Sequence, residues 1–318
     1  MNSVFLDYQT VSDGDLDPQP LQAVLPGLVL YDNSDDQQIR ERVADAEVVL
    51  VNKAIVDRAV MQAAPNLKLI ALSATGSNNI DVRYAKERGI AVCNIRGYCT
   101  ASVAQHVWGS ILMLTHHLRE FSELALGGSW ASGTNFTMLN FSVRELQGRT
   151  LGIVGWGELG SAVAKVGEAF GMRIVIANRK GGDAKPGRLD LGALLRVADV
   201  VSLHCPLTDA TRGMIGAEQL ALMKPDALLI NTARGALIDT AALAAALRAR
   251  KLGGAGIDVL AQEPPVGGDP LLAPGIPNLV LTPHIAWAAQ EARQRCLTEM
   301  AANIRDFYQG GQRGRVIA

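Results

Sequence analysis

The sequence predicts an α/β protein made of two domains, each built on a doubly wound parallel sheet. Short β-branched runs alternate with helical patterns along the whole 318-residue chain. Many of these runs are apolar throughout, which is typical of parallel strands that helices cover on both faces. The length suits about two domains of roughly 150 residues each.

The first series of elements fills the first third of the chain. Strands are predicted at residues 4–7, 28–31, 47–51, 67–72 and 90–93, with helices between them at 35–46, 56–64 and 81–88. A long helix is predicted at 101–126, because apolar residues recur there at spacings of three and four. The segment 127–149 loses this periodicity and contains four glycines, which indicates an excursion between elements.

A second alternating series starts at Thr150. Strands are predicted at 151–154, 173–177, 200–204, 227–231, 256–259 and 279–282, and helices at 159–170, 240–250 and 288–308. We expect Gly253 and Gly254 to terminate the helix at 240–250. No flexible linker separates the two series, so we expect rigid helices to join the domains, with a cleft between them.

Composition and charge are ordinary for a soluble globular protein, and the cysteine pattern favours a reducing cytosol. The hydrophobic fraction is 48%, and the formal net charge of -1 marks no nucleic-acid or anionic-membrane surface. The longest apolar stretch, 107–114, is far shorter than the ~20 residues of a membrane span. The four cysteines have no metal-ligand spacing and follow no signal peptide, so we interpret them as free thiols. They are Cys93, Cys99, Cys205 and Cys296.

A glycine-rich turn is the strongest local signal. Gly155, Gly157 and Gly160 follow a predicted strand and open a helix. Gly155 permits a tight turn, Gly157 lets a pyrophosphate approach the backbone, and Gly160 allows close packing of helix and strand. The helix N-terminus would then offer N–H groups to the phosphates. The alternative is a plain strand–helix turn that tolerates glycine.

The end of the next strand bears on the choice of cofactor. Sites for NAD usually carry an acid about 20 residues past the glycines, but this sequence has Asn178, Arg179 and Lys180. An uncharged residue followed by two cations suits a 2′-phosphate, so we predict a preference for NADPH with NADH tolerated. The alternative is a solvated basic turn.

Three chemically distinct residues follow three later strands. Arg234, Glu263 and His284 would meet at the carboxyl edge of a parallel sheet. Arginine grips a carboxylate with two hydrogen bonds, histidine donates a proton near neutral pH, and a neighbouring glutamate stabilises and orients the imidazolium. Together they suit the reduction of a 2-oxo acid. Taken singly, each can be structural: a capping Arg, a surface Glu and a packed His.

Weaker signals concern a loop and the other histidines. The segment from Ser73 to Asp81 closes a strand and opens a helix, so it can either present N–H groups to an anion or be an ordinary capped loop. His204 ends a strand and would line the nicotinamide side. The histidines of the long helix are interpreted as packing or surface residues; they are His106, His116 and His117.

Six ordered motifs between about residues 67 and 310 resemble the D-isomer-specific 2-hydroxyacid dehydrogenases. They are Gly155-x-Gly157-x-x-Gly160, Leu203-His-Cys-Pro-Leu-Thr208, Asn231-Thr-Ala-Arg-Gly235, Gly256-Ile-Asp258-Val, Glu263-Pro264 and Pro283-His284. Three others are similar to the glycerate dehydrogenase/hydroxypyruvate reductase branch. They are Ala74-Thr-Gly76-x-Asn-Asn79, Asn94-Ile-Arg-Gly-Tyr98 and His284-Ile-Ala-Trp287.

The resemblance implies a role for each site residue. The catalytic set would be Arg234, Glu263 and His284. The substrate would contact Ala74, Thr75, Gly76, Arg234, His284 and Trp287. The cofactor would contact Thr100, Val103, Gly155, Trp156, Gly157, Glu158, Leu159, Gly160, Asn178, Arg179, Lys180, His204, Cys205, Pro206, Thr211, Thr232, Ala233, Arg234, Asp258, His284 and Ala286.

The resemblance also implies an architecture and an activity. Residues 1–98 and 288–318 would form a flavodoxin-like substrate domain and 99–287 a Rossmann domain, with a homodimer joined through the latter and the 127–149 excursion. The main interpretation is a hydroxypyruvate/glyoxylate reductase. The alternatives are a D-2-hydroxyacid dehydrogenase for a larger 2-oxo acid and a non-catalytic dinucleotide sensor. Two residues depart from the family pattern. Asn178 stands where NAD-preferring relatives have an acidic residue, and Gln105 stands where many relatives have glutamate.

Overall fold

The computed structural model describes residues 2–179, 182 and 185–316. They divide into two compact units. The first unit consists of Met1–Cys99 together with Trp287–Ala318, and the second is Thr100–Ala286. The second unit is therefore an insertion within the chain of the first.

The described part of the first unit forms a five-stranded parallel sheet. Its strands are β1 (Ser3–Phe5), β2 (Leu28–Leu30), β3 (Val48–Val51), β4 (Leu69–Leu72) and β5 (Ala91–Cys93). The spatial order is β2-β1-β3-β4-β5, and each pairing is parallel. This is the flavodoxin-like order, in which the chain changes direction across the sheet at β1.

Helices cover both faces of this sheet and create two apolar cores. They are α1 (Gln19–Val24), α2 (Asp36–Val43), α3 (Arg58–Ala63), α4 (Val82–Glu87) and α11 (Gln290–Tyr308). Aspartate side chains cap the N-termini of α2, α3 and α4 by accepting backbone N–H bonds. The late helix α11 returns to bury Cys296, Leu297, Met300 and Ile304 in the first unit.

The second unit contains a six-stranded parallel sheet within its described residues. Its strands are β6 (Thr150–Val154), β7 (Arg173–Ile176), β8 (Val200–Leu203), β9 (Leu228–Asn231), β10 (Gly254–Ile257) and β11 (Leu279–Leu281). The order is β11-β10-β9-β8-β6-β7, so the topological switch falls between β6 and β8. Its helices are α5 (Thr100–His116), α6 (Leu118–Leu126), α7 (Glu158–Ala169), α8 (Leu191–Val197), α9 (Ala217–Leu222) and α10 (Thr240–Arg248). The predicted fold class, two parallel-sheet α/β domains, is confirmed.

The prediction of one helix over 101–126 is wrong, because the chain breaks into α5 and α6 at His117. This residue adopts a left-handed conformation with φ 49° and ψ 40°, and its ring stacks on Phe141 at 5.1 Å. The carbonyl of Thr115 accepts a hydrogen bond from the N–H of Arg144, 3.2 Å away. That bond takes an acceptor that a continuous helix would have used.

The predicted role of the glycine pair after α10 is also wrong. The helix ends at Arg248, and Gly254 already begins β10. A Cβ on Gly253 would lie 2.4 Å from the carbonyl oxygen of Asp226, so this glycine serves close packing. The short helices α1, α8 and α9 were missed, since six or seven residues give little periodicity. No helix among the described residues is long and apolar enough to cross a membrane.

Candidate active site

A tight glycine turn joins β6 to α7 in the second unit. Gly155 has φ +106°, in the left-handed region, and a Cβ there would lie 2.5 Å from the backbone of His204. A Cβ on Gly160 would lie 2.2 Å from the carbonyl oxygen of Gly155. Only glycine therefore allows the strand, the turn and the helix to pack this closely.

The helix after this turn has an end that fits a phosphate group. Gly157 caps the 12-residue helix α7 without a side-chain hydrogen bond. A Cβ built on Gly157 would meet no described atom within 4 Å. The positive end of the helix dipole therefore borders open space, as a bound pyrophosphate requires.

A cavity of about 1130 Å³ extends from this turn past the carboxyl ends of β6, β7 and β8. Its position at the topological switch is where open α/β sheets bind their ligands. The predicted cofactor residues that line it are Gly155, Trp156, Gly157, Asn178, Arg179, His204, Cys205, Pro206 and Thr211.

The other predicted cofactor residues of the described chain lie outside this cavity. Glu158, Leu159 and Gly160 form the first turn of α7, while Thr100 and Val103 belong to the first turn of α5. The hydroxyl of Thr100 donates to the Glu158 carboxylate, and Val103 is buried.

The remaining ones follow the strands on the other side of the sheet. They are Thr232, Ala233 and Arg234 after β9, Asp258 after β10, and His284 and Ala286 after β11. The Thr232 hydroxyl oxygen is buried and has no hydrogen-bond partner among the described residues. An orphaned polar atom at this edge is what a bound dinucleotide would satisfy, so the residues present fit that group.

Three cationic residues line the cavity beside the end of β7. Arg179, Lys185 and Arg188 line it together with Asn178. The Asn178 side-chain oxygen accepts a hydrogen bond from the Lys185 N–H at 3.0 Å, which links these two residues. Lys180, predicted to bind the cofactor, lies outside the described residues.

His204 is a buried histidine at the end of β8. Its Nε2 lies 2.8 Å from the Ser202 hydroxyl, and its buried Nδ1 has no partner among the described residues. Burial lowers the pKa of His204 to about 4, because a charged imidazolium would lose its hydration. Burial also raises the pKa of the neighbouring Cys205 thiol, which makes a nucleophilic thiolate unfavourable.

Arg234 lies on a turn that the buried side chain of Asn231 builds. The Asn231 amide accepts from the Ala233 N–H at 3.0 Å and donates to the Arg234 carbonyl at 2.9 Å. The Arg234 side chain is exposed, and its Nη1 donates to the Ala233 carbonyl at 2.7 Å. The fold of β9 therefore ends in a turn that presents a guanidinium at the sheet edge.

The next residue brings this turn against the segment after β10. A Cβ on Gly235 would lie 2.0 Å from the carbonyl carbon of Leu260, so the two backbones are in direct contact. The Leu260 N–H in turn donates to Oε1 of Glu263 at 2.8 Å. The arginine turn and the glutamate loop are thus packed as one body.

Glu263 and His284 form a close pair. Oε2 of Glu263 lies 2.6 Å from Nδ1 of His284, while its Oε1 is held by the Leu260 backbone. Both oxygens therefore have defined positions, and the imidazole is oriented through Nδ1. This arrangement can stabilise a proton on the ring.

A second carboxylate holds the turn on which His284 lies. Asp258 is 1% exposed. Its oxygens accept from the Ile285 and Ala286 N–H groups, both at 2.9 Å, and from the Thr282 hydroxyl at 2.6 Å. The His284 N–H donates to the Asp258 carbonyl at 2.8 Å. The turn is therefore fixed by four hydrogen bonds to one residue.

The three predicted catalytic residues follow three adjacent strands. The parallel register pairs β9 with β10 and β10 with β11. Neighbouring strands are about 4.8 Å apart, so Arg234, Glu263 and His284 come from the same short edge of the second sheet. Their catalytic roles remain a prediction.

The predicted substrate residues of the first unit follow β4. Ala74 and Thr75 lie in a loop tied to the end of β5: the Thr75 hydroxyl donates to the Ile95 carbonyl at 2.9 Å, and the Ile95 N–H donates to the Ala74 carbonyl. Gly76 continues this loop, which ends where Asp81 caps α4. The predicted N-cap is thus observed, and anion binding by the loop remains a prediction.

Trp287, also predicted to contact substrate, belongs to the first unit. Its ring packs edge-on against Tyr98 with centroids 6.4 Å apart, and the Lys53 ammonium lies 5.9 Å from the ring centroid. These three side chains create an aromatic and cationic environment at the carboxyl edge of the first sheet.

The sequence analysis missed the residue that builds part of this edge. The Asp7 side chain, 4% exposed, accepts N–H bonds from Asn52, Lys53 and Ala54. The amide of Asn79 donates to carbonyls of the same turn. An acid directly after an apolar first strand was the available signal, because parallel strands end at a shared edge.

The fold and the glycine turn define a dinucleotide-binding α/β protein, and comparisons with known proteins identify the family. The model of the D-isomer specific 2-hydroxyacid dehydrogenase NAD binding domain matches residues 108–286. A glycerate dehydrogenase of Methylorubrum extorquens is 42% identical over 86% of this chain and 86% of its own. A hydroxypyruvate reductase of Blautia hydrogenotrophica is 36% identical over 98% of both chains.

Solved structures agree in fold. A protein of Thermus thermophilus is 35% identical with a TM-score of 0.88 over 100% of both chains. A D-lactate dehydrogenase of Aquifex aeolicus, complexed with NAD and lactic acid, is 29% identical with a TM-score of 0.84 over 100% of this chain and 99% of its own. An NADPH-dependent glyoxylate/hydroxypyruvate reductase of Sinorhizobium meliloti is 27% identical with a TM-score of 0.82 over 99% of this chain and 98% of its own.

The chain therefore belongs to the D-isomer-specific 2-hydroxyacid dehydrogenases. It is an oxidoreductase that acts on small 2-hydroxy acids with a nicotinamide dinucleotide, and the predicted family and enzyme class are confirmed.

Proposed function

We propose that this enzyme reduces hydroxypyruvate and glyoxylate, with His284 as proton donor and Arg234 as the carboxylate-binding residue. The observation that carries the proposal is the 2.6 Å pair of Glu263 and His284, beside the turn that presents Arg234. The names of relatives at 36% and 42% identity, a hydroxypyruvate reductase and a glycerate dehydrogenase, support the substrate class.

The chain's own residues divide the reaction between them. The bound reduced nicotinamide supplies a hydride to the carbonyl carbon of the 2-oxo acid. His284 donates the proton that converts the carbonyl oxygen into a hydroxyl, and Glu263 stabilises the imidazolium before this transfer. Arg234 holds the carboxylate by two hydrogen bonds.

The test of proton donation is His284→Asn. We expect kcat to fall by roughly 10²–10⁴-fold, while dinucleotide affinity measured by fluorescence titration stays near wild type. His116→Asn, at the last residue of α5 and ten residues from His106, is the matched control and should retain activity. Near-normal turnover by the His284 variant would remove this residue from the mechanism.

The test of carboxylate binding is Arg234→Lys. An ammonium cannot reproduce the two-pronged grip, so KM should rise and kcat should fall with dinucleotide affinity unchanged. Arg248→Lys, at the exposed end of α10, is the control. An effect on dinucleotide affinity alone would assign Arg234 to the cofactor site.

The substrate preference is tested by comparing 2-oxo acids. Trp287 and the loop at Ala74 and Thr75 suit a small substrate. We expect kcat/KM to be higher for hydroxypyruvate and glyoxylate than for pyruvate or branched 2-oxo acids. A higher kcat/KM on a bulky 2-oxo acid would refute the assignment, and the absence of turnover on every 2-oxo acid would favour a sensor.

The proposed cofactor preference is NADPH. Asn178 does not repel a 2′-phosphate as an acid would, and Arg179, Lys185 and Arg188 line the same cavity. Each charge-assisted contact contributes about 1.5–3 kcal/mol, less where salt screens it. Kinetics with both reduced cofactors test the preference, and Asn178→Asp should move selectivity toward NADH. A strong wild-type preference for NADH would show that these cations do not face the cofactor.

The assembly we propose is a cytoplasmic homodimer. The segment from α6 onward exposes large apolar side chains, which favours burial against a second copy; they are Leu118, Leu126, Trp130, Phe136, Leu139 and Val143. The four cysteines are free, as a reducing compartment requires. Light scattering on the wild type and on Phe136→Asp tests the dimer: a monomeric wild type would refute it.

A further inference from the structure

Two polar side chains of α5 contact the segment that carries His284. The Ser102 hydroxyl donates to the Ala286 carbonyl at 2.7 Å. Nε2 of His106 lies 3.1 Å from the Thr282 hydroxyl oxygen. Ser102 and His106 are four residues apart, so they lie on one face of the helix. The sequence analysis interpreted His106 as a packing or surface residue, and these contacts give it a defined partner.

The number of available protons fixes which atom donates in each hydrogen bond between His106, Thr282 and Asp258. A carboxylate only accepts, so the Thr282 hydroxyl uses its single proton for Asp258, 2.6 Å away. The same hydroxyl oxygen must then accept from Nε2 of His106. His106 is therefore a donor at Nε2, and a chain of bonds runs from His106 through Thr282 to Asp258.

Asp258 is the point where this chain reaches the candidate catalytic turn. Its carboxylate binds the N–H groups of Ile285 and Ala286. His284 has φ +59°, a left-handed conformation that a residue with a side chain adopts only when its surroundings hold it. The bonds from the Ile285 and Ala286 N–H groups to the Asp258 carboxylate supply that restraint.

The packing of α5 allows these contacts. A Cβ on Gly256 would lie 2.9 Å from Cβ of Ser110, so the glycine lets α5 approach β10 closely. Ser110 follows His106 by four residues and continues the same face. The helix is thereby held near the carboxyl ends of β10 and β11, within reach of Thr282.

We propose that His106 is a positioning residue for His284, acting through Thr282 and Asp258. His106 orders the Thr282 hydroxyl, and this hydroxyl orients the Asp258 carboxylate. The carboxylate in turn holds His284 in its left-handed conformation. The inference rests on the proposed role of His284 in catalysis and adds a residue from α5 that acts through Thr282 and Asp258.

The experiment compares variants that keep or remove each hydrogen bond. His106→Gln places an amide donor near the position of Nε2, whereas His106→Leu removes it. Thr282→Ser keeps the hydroxyl, whereas Thr282→Val removes it at similar volume. His116→Leu controls for loss of a histidine from the same helix. Each variant is assayed for kcat, KM, thermal midpoint, and the isotope effect with cofactor deuterated at the transferred position.

We expect the Leu and Val variants to lower kcat by about ten- to a hundred-fold, the scale of a lost hydrogen bond in a charged network. Their isotope effects should rise, because a displaced proton donor makes the chemical step rate-limiting. The Gln and Ser variants should recover most of kcat. The double variant His106→Leu/Thr282→Val should have a kcat no lower than that of the less active single variant, because both substitutions break the same series of hydrogen bonds.

Two results would overturn the proposal. One is that Leu and Gln at position 106 have the same kcat, because then the donor is irrelevant. The other is a lower thermal midpoint in the Leu and Val variants with kcat and isotope effect unchanged. That combination would show that His106 and Thr282 have a purely structural role. If the Leu variant does not fold, the Val and Ser pair at position 282 decides the question by the same criteria. Full turnover by His284→Asn would instead refute the proposed function itself.

Discussion

The buried imidazole of His204 should make the second unit sensitive to mild acid. An unfolded histidine titrates near 6.5, whereas burial lowers the pKa of His204 to about 4 in the folded protein. Between these values the unfolded chain binds a proton that the folded chain does not. The free energy of unfolding must therefore fall as pH drops from about 6.5 to about 4, and the loss is complete below that range.

The size of the effect follows from the two values. The difference of 6.5 and about 4 is about 2.5 units. One unit corresponds to about 1.36 kcal/mol, so the full loss is about 3 kcal/mol. Linkage makes the loss in the free energy of unfolding about 2 kcal/mol at pH 5 and only about 0.2 kcal/mol at pH 7. This is a large share of a typical domain stability.

The assay is urea unfolding of the wild type and of His204→Gln at pH 7 and pH 5. The glutamine amide can still bond to Ser202 but does not titrate in this range. Three of the four tryptophans, Trp108, Trp130 and Trp156, lie in the second unit, so fluorescence reports on it. The wild type should lose about 2 kcal/mol more than the variant between the two pH values. Equal losses would show that His204 takes up its proton without unfolding and would refute the reasoning.

Two further substitutions test the candidate active site. Gly235→Ala should cost about 1–3 kcal/mol and raise KM, because its Cβ would lie 2.0 Å from the carbonyl carbon of Leu260; Gly109→Ala, which meets no described atom within 4 Å, should be neutral or stabilising in the same urea titration. Glu263→Gln removes the carboxylate that orients the imidazole through Nδ1, so kcat for reduction should fall while dinucleotide affinity stays near wild type. An unchanged kcat would make Glu263 structural.

Much of the fold was predictable because the buried strands of parallel sheets have a simple sequence pattern. Buried strands such as β3 and β9 are apolar at nearly every position, and their ends can be located within one or two residues. The helix break at His117 was not predictable, since the side chains on both sides keep helical periodicity. It depends on the approach of Arg144 to the Thr115 carbonyl, a contact between residues distant in sequence.

The candidate site was predictable to the level of residue type and strand. Arg234, Glu263 and His284 each follow a strand, and topology alone brings those strand ends together. The supporting residues were less visible. In the sequence His106 is one more histidine on an apolar helix, and its role depends on which strand that helix packs against. Such information lies in the packing, where Gly256 sets the approach of α5.

The insertion of Thr100–Ala286 within the first unit has a consequence for protein synthesis. The ribosome releases all of the second unit before it releases α11, whose buried face completes a core of the first unit. The nascent chain therefore holds its first five strands without their last helix while the second unit can already fold. The first unit is therefore the later one to mature, and a premature stop after residue 286 would leave a complete second unit attached to an unfinished first one.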